Sequence, residues 1–189
     1  ASLMPGYTLG LGGAAAFLVV VLSVTGGILM LHYRPDAASA FSDMTAIDRH
    51  GAAGPFRALH RWAGHLLVAV AVLHLLRVFL SGAFRDRRFN WVVGTLLLAT
   101  VVWLDFSGCV LPWDRDAVVP ALVADRTLRA IPAAGVAIGD LVTGPGRVGD
   151  QTLPRFYAVH CFALPLVLFV LCGIHFYRIR ADGFSRPPP

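Results

Sequence analysis

The chain has 189 residues, of which 57% are hydrophobic and 14% charged, against roughly 25% charged in an average soluble domain. Its mean hydropathy is +0.68. These values exclude a disordered chain, a secreted disulfide scaffold and a water-soluble enzyme, and the length suits one domain over residues 1–189. The formal charge is +5, from 16 basic and 11 acidic residues. Every one of the basic set is Arg and every acidic one is Asp, which reads as genomic composition rather than mechanism. No basic run exceeds Arg87-Arg88, so nucleic acid is not the expected partner. A membrane protein with a basic cytoplasmic face accounts for the excess, with lipid as its surroundings.

A bilayer core takes about 20 apolar residues per helix. Four stretches qualify. Residues 9–33 carry no Asp or Arg; residues 59–80 carry Arg61 and Arg77 near their ends; residues 91–111 are interrupted by Asp105; residues 156–177 form the last. The first stretch is too long for a signal peptide and lacks a small-residue cleavage site behind it. The chain opens on Ala1 rather than Met, so leading residues are expected to be missing. The turn with Arg85, Arg87 and Arg88 against Asp86 is net basic, as is the tail with Arg178, Arg180 and Arg186 against Asp182. Basic short loops stay inside. Both termini are therefore expected on the cytoplasmic side, of a bacterial inner membrane, with the two longer loops outside. The loop over residues 113–155 is long enough to be functional. Short surface helices are expected there over residues 125–130 and 136–142, separated by Pro132 and Gly135.

Ionisable residues inside spans are expensive and point to function. The second span holds His60 and His74, fourteen residues apart; the fourth holds His160 and His175, fifteen apart. Fourteen residues of α-helix rotate about 1400° and rise about 21 Å, and fifteen rotate about 1500° and rise about 22 Å. Each helix thus shows two histidines on roughly one face, one near each membrane surface. His60 can face His160 at the outer level, and His74 can face His175 at the inner level. Two stacked bis-imidazole sites in a four-helix bundle suit two haem irons. A lone intramembrane histidine is more often a satisfied polar contact, but two matched pairs are not.

Gly12 and Gly26 on the first span are fourteen apart, and so are Gly94 and Gly108 on the third. A flat macrocycle needs close backbone approach at two levels, which glycine allows. Single pairs of this kind also arise from ordinary small-residue packing. Arg57 and Arg61 bracket His60, Arg77 follows His74, and Arg178 and Arg180 follow His175. Guanidinium groups there suit haem propionates, although each alone also fits interfacial snorkelling. His65 lies about 140° around the helix from His60 and is expected to be packed or hydrogen-bonded. His32 and His50 read as bland loop residues. Cys109, Cys161 and Cys172 show no CxxC or CxxCH spacing and are expected to be small buried hydrophobes. Asp105 is expected to pair with an outer Arg, or else to accept a proton beside a quinol pocket.

These residues resemble the cytochrome b family, in its short b6 type. The resemblance covers nearly the whole chain. It rests on His32-Tyr33-Arg34-Pro35 closing the first helix and on Arg57-Ala58-Leu59-His60-Arg61-Trp62 opening the second. His74-Leu75-Leu76-Arg77 is similar to the family's second ligand with its nearby Arg. Gly108-Cys109-Val110-Leu111-Pro112-Trp113-Asp114 resembles its Gly-x-x-Leu-Pro-Trp signature, and Thr152-Leu153-Pro154-Arg155-Phe156-Tyr157 resembles the opening of its fourth helix. The spacing of His160 and His175 is similar to the b6 type, mitochondrial cytochrome b having one residue fewer.

The resemblance implies an all-α membrane protein: a four-transmembrane-helix bundle binding two stacked non-covalent b-type haems, with short surface helices between helices three and four. It implies quinol oxidation near the outer face, with one electron passing to a Rieske iron–sulfur protein and onward to a c-type cytochrome or plastocyanin. The other electron would cross from an outer, low-potential haem at His60 and His160 to an inner, higher-potential one at His74 and His175, and reduce quinone in a proton-translocating Q-cycle. The loop around Ile131-Pro132 and Gly135 resembles the surface helix shaping the outer quinol pocket, and Arg180 resembles a residue near the inner haem. A homodimeric complex is implied. The sequence also departs from the b6 pattern. Leu18 stands where that family has the Cys that holds an extra haem, so a covalent c-type haem is not expected. The long amphipathic N-terminus of plant b6 is lacking. The Pro-Glu-Trp-Tyr motif is absent, so a separate subunit-IV-like chain is expected to complete the quinol site. The competing readings are a dihaem membrane anchor of a hydrogenase, formate dehydrogenase or nitrate reductase, and a transporter or assembly bundle whose histidines bind nothing. The Leu-Pro-Trp signature and the matched spacings argue against the first of these, and a haem spectrum separates the second.

Overall fold

The computed structural model describes residues 10–50 and 52–182. Leu9, Arg186 and the three prolines that close the chain lie outside the described residues, as does the side chain of His50. In chain order the elements are α1 (Leu11–Met30), α2 (Ala40–His50) and α3 (Gly54–Leu80), then a 3-10 turn (Arg85–Arg87) leading into α4 (Arg88–Val110). They continue with α5 (Arg115–Arg129), α6 (Gly135–Val142) and α7 (Thr152–Ala158). The last runs through a π-helical segment (Val159–Ala163) into α8 (Leu164–Asp182). No strand occurs among the described residues. Four helical stretches are long and apolar enough to cross a membrane: Leu11–Met30, Gly54–Leu80, Arg85–Val110 and Thr152–Ala181.

The helices extend beyond the expected spans wherever local chemistry permits. Pro55 sits in the first turn of α3, where its missing N–H costs nothing, and so the second helix starts at Gly54 rather than at residue 59. The first ends earlier, at Met30. Tyr33 lies past its end, with its buried hydroxyl donating to the Leu111 carbonyl at 2.6 Å. That bond ties the end of α1 to the end of α4. Asp114 starts α5 by accepting from the Ala117 N–H at 2.8 Å, an N-cap. The α5 helix is therefore longer than the stretch expected over residues 125–130, while α6 nearly matches its expectation. The α2 helix had no clear signal in the sequence. It is anchored by Asp43, which accepts from Arg34 Nη2 at 2.6 Å and Nε at 3.0 Å. Hydrogen bonding to Arg34 holds the Asp43 carboxyl below its ordinary pKa.

Large apolar side chains face outward along the spans, among them Phe17, Leu66, Leu166 and Phe169. A helix apolar on all sides is expected where the solvent is lipid. The chain is a multi-pass integral membrane protein. The closest helix pairs are α1 on α3 and α4 on α8, joined by α3 against α4. Two apolar clusters sit inside. Leu18, Ala63, Leu67, Val101 and Leu168 fill the middle of the bundle. Tyr33, Val110, Leu111, Ala121, Ala124, Leu153 and Phe156 close the end that carries α2, α5 and α6. That end is called upper below, and the end at the Arg85–Arg87 turn lower.

Candidate functional site

The histidine-bearing helices α3 and α8 are not among the closely packed pairs; each is backed instead by a neighbour, α1 or α4. Between them at the upper level, the His60 and His160 rings stand 6.3 Å apart between centroids, at 72° to one another. Two imidazoles bonded to one metal ion at about 2.0–2.1 Å each, with each ring centre about an ångström farther out, would span roughly that distance. Among the described residues no group of three or more His, Cys, Asp or Glu could hold a metal. A metal here must take its other ligands from a non-protein group, as haem iron does. At the lower level His74 and His175 take the matching places, each ring facing its own glycine. All four rings are half-buried.

Each ring is backed by one glycine. A Cβ added at Gly26 would stand 3.1 Å from His60 Cε1, and one at Gly108 would stand 2.9 Å from His160 Cε1. At Gly12 the gap to His74 Cε1 is 3.4 Å, and at Gly94 the gap to His175 Cε1 is 3.6 Å. The close approach these glycines permit is thus to the imidazoles themselves. Any side chain at Gly26 or Gly108 would push its histidine off position.

Two hydroxyls complete the upper level. Thr25 Oγ1 lies 2.8 Å from His60 Nδ1, and Ser107 Oγ lies 3.0 Å from His160 Nδ1. Both residues are missed by a search for titratable or ligating side chains. Their signal is positional: each directly precedes a glycine that backs the same ring.

The fifteen-residue spacing on the fourth helix has a structural cause. His160 sits within the π-helical segment Val159–Ala163. There the Leu164 N–H donates to the Val159 carbonyl, five residues back. Pro165 follows. It has no N–H for the Cys161 carbonyl, and its ring would clash with that carbonyl in a regular helix. The wide turn absorbs one extra residue. It brings His160 back onto the face of His175, as the regular fourteen-residue interval does for His60 and His74.

The arginines divide. Arg57 donates to Asp48 Oδ1 at 2.6 Å. Arg61 and Arg180 are exposed, and Arg77 is half-buried. The Arg178 guanidinium lies 5.6 Å from the Phe89 ring centroid. Among the described residues Asp105 forms no salt bridge with an arginine, against expectation. Its Oδ1 lies 3.0 Å from His65 Nδ1, because α3 crosses α4 at Gly64, where a Cβ would stand 3.2 Å from the same oxygen. His65 is therefore hydrogen-bonded, as expected, and Trp62 meets its ring edge-on. His32 Nδ1 lies 3.0 Å from the carbonyl of Ile28 in its own chain turn. Cys109 is exposed, against the expectation of burial, while Cys161 and Cys172 are partly buried. Leu18 is buried in the mid-bundle cluster.

Hydrogen bonds of one arginine tie the upper surface together. Arg129 donates to Asp125 at 2.7 Å, to Asp140 at 2.9 Å and to the Gly144 carbonyl at 2.8 Å. It thereby clamps α6 onto α5. Gly135 is required, since a Cβ would stand 2.6 Å from the Leu128 and Arg129 carbonyl oxygens.

Comparison with known proteins bears on the whole chain. The family model for Cytochrome b/b6/petB matches residues 2–183. The chain is 38% identical over 179 residues to the menaquinol:cytochrome c reductase cytochrome b subunit of Geobacillus thermodenitrificans, covering 93% of this chain and 80% of that one. It is 35% identical over 179 residues to cytochrome b6 of Desmonostoc sp. (strain PCC 7906), covering 94% and 83%. Among solved structures, a chain of a hyperthermophilic respiratory Complex III superposes with a TM-score of 0.83 at 28% identity. The match covers 95% of this chain and 49% of the other, so this chain spans about half its length.

Proposed function

The chain belongs to the cytochrome b/b6 family, and we propose that it is the dihaem subunit of a quinol:cytochrome c or plastocyanin-type oxidoreductase. In this reading it carries electrons between an outer quinol-oxidising site and an inner quinone-reducing site. The supporting observation is the fourfold apposition of one glycine to one histidine, at two levels of one bundle. Bound b-type haem supplies reversible one-electron chemistry at its iron. His60 and His160 would hold the upper, outer iron, and His74 and His175 the lower, inner one. The mid-bundle cluster around Leu67, Val101 and Leu168 keeps water from the space between the levels. Fourteen residues of helix set those levels about 21 Å apart. Arg61, Arg77 and Arg180 are placed to offset propionate charge. Arg57 is shared with Asp48 and contributes less. Leu18 offers no thiol for a covalent c-type haem.

At the outer level the His65–Asp105 pair supplies a proton acceptor. Asp105 holds Nδ1, which leaves Nε2 to take a proton while the carboxylate stabilises the imidazolium. The clamp of α6 onto α5 fixes one wall of the outer pocket. A separate subunit-IV-like chain is the proposed source of the remaining wall. A Rieske protein, a c-type cytochrome and a second copy of the complex are the expected partners, with both termini cytoplasmic. A pyridine haemochrome assay of the purified subunit tests the core of this reading. Two b-type haems per chain are expected, and none would sink it.

A further inference from the structure

The upper and lower levels repeat at fourteen residues on both α1 and α4, so the residue before each glycine can be compared. On α1 it is Thr25 above and Leu11 below; on α4 it is Ser107 above and Val93 below. Thr25 and Ser107 are buried, at 2% and 0% exposure, and each touches Nδ1 of the ring that the adjacent glycine backs. The two residues at the lower level are aliphatic. There, His74 Nδ1 and His175 Nδ1 are buried with no hydrogen-bond partner among the described residues.

A hydroxyl has one proton to give. Thr25 Oγ1 lies 2.8 Å from the Val21 carbonyl, and Ser107 Oγ lies 3.1 Å from the Leu104 carbonyl. Carbonyls only accept, so each hydroxyl proton points along its own helix. The lone pair then faces the ring, and Nδ1 must be the donor. With the proton on Nδ1, the lone pair sits on Nε2, the nitrogen a metal would take. A hydrogen bond from Nδ1–H also makes Nε2 a stronger base. A stronger donor favours the oxidised metal and lowers its reduction potential. Ser23, Thr45, Thr95 and Thr100 also bond a carbonyl of the preceding turn, so back-bonding alone means little. What sets Thr25 and Ser107 apart is the ring on their other side.

We infer that Thr25 and Ser107 are positioning residues for the upper haem: they lock His60 and His160 as Nε2 ligands, and each hydroxyl lowers the midpoint potential of that haem below the value it has without the hydroxyl. The inference rests on the dihaem reading above. Its test is a redox titration of the intact membrane complex, followed by haem absorption, for Thr25→Val, Ser107→Ala and the double variant. A His74→Ala form assigns the bands. Both haems should remain bound. The upper midpoint potential should rise in each single variant and further in the double, with the lower one unmoved. Thr25→Ser, which keeps the hydroxyl, should restore the original value. If Thr25→Val sheds the upper haem, retention at the original potential in Thr25→Ser supports the lock, and loss there as well overturns it. Unchanged upper potentials with both haems bound, or equal shifts at both levels, also overturn it. A parent complex without haem would instead refute the dihaem reading itself.

Discussion

A Cβ at Gly108 or Gly26 would stand 2.9 or 3.1 Å from the imidazole it faces, whereas at Gly12 or Gly94 the gap is 3.4 or 3.6 Å. The upper rings are also held by hydroxyls, while the lower rings have no partner at Nδ1 among the described residues. One helical repeat thus builds two histidine sites of different tightness. The repeat places the rings, and the residues beside it decide how firmly they are held. In a close-packed interior a few tenths of an ångström separate a tolerated side chain from a displaced one.

The largest effect should come from removing a ligand. His74→Ala is expected to eliminate the lower haem and spare the upper one, taking the haemochrome yield from two per chain to one. Loss of both would show that the levels fold as one unit. Next, Gly108→Ala should cost most of the upper haem, because its Cβ would fall 2.9 Å from a ring that Ser107 holds in place. Gly94→Ala, with a gap of 3.6 Å, should keep the lower haem nearly intact. Equal losses in quantitative haem spectra would break the comparison. Pro165→Ala should relax the wide turn and swing His160 by as much as one residue, about 100°. Partial loss of the upper haem is expected, with the lower haem untouched, since His175 lies a further ten residues along. An unchanged upper spectrum would show that Pro165 does not hold the turn. The smallest effect is at Asp105. Replacement by Asn should slow quinol oxidation on the order of tenfold, less than the ~10²–10⁴ of full general-base catalysis, because His65 remains. Turnover unchanged across pH would leave the pair a structural contact.

Periodicity carried much of this. The four histidines, the four glycines and the pairing of levels could be read from intervals of fourteen and fifteen, because a helix converts sequence distance into angle and height. Helix extents were less legible, since they depend on caps and contacts such as Asp114 at Ala117 and Tyr33 at Leu111. Asp105 was expected to meet an arginine, and instead meets His65 across the α3–α4 crossing at Gly64. Thr25 and Ser107 escaped notice because hydroxyls are common in membrane helices and mark nothing by type.

The sequence by itself determined that this is a membrane bundle with histidine pairs at two levels, because composition and helical period are properties of the chain alone. Only the tertiary structure decided that the glycines face the rings, that one level is hydroxyl-braced and the other is not, and that a π-helical turn reconciles fifteen residues with fourteen. Those features depend on which helix lies behind which and on where each hydroxyl sends its single proton. Neither is written in spacing along one helix.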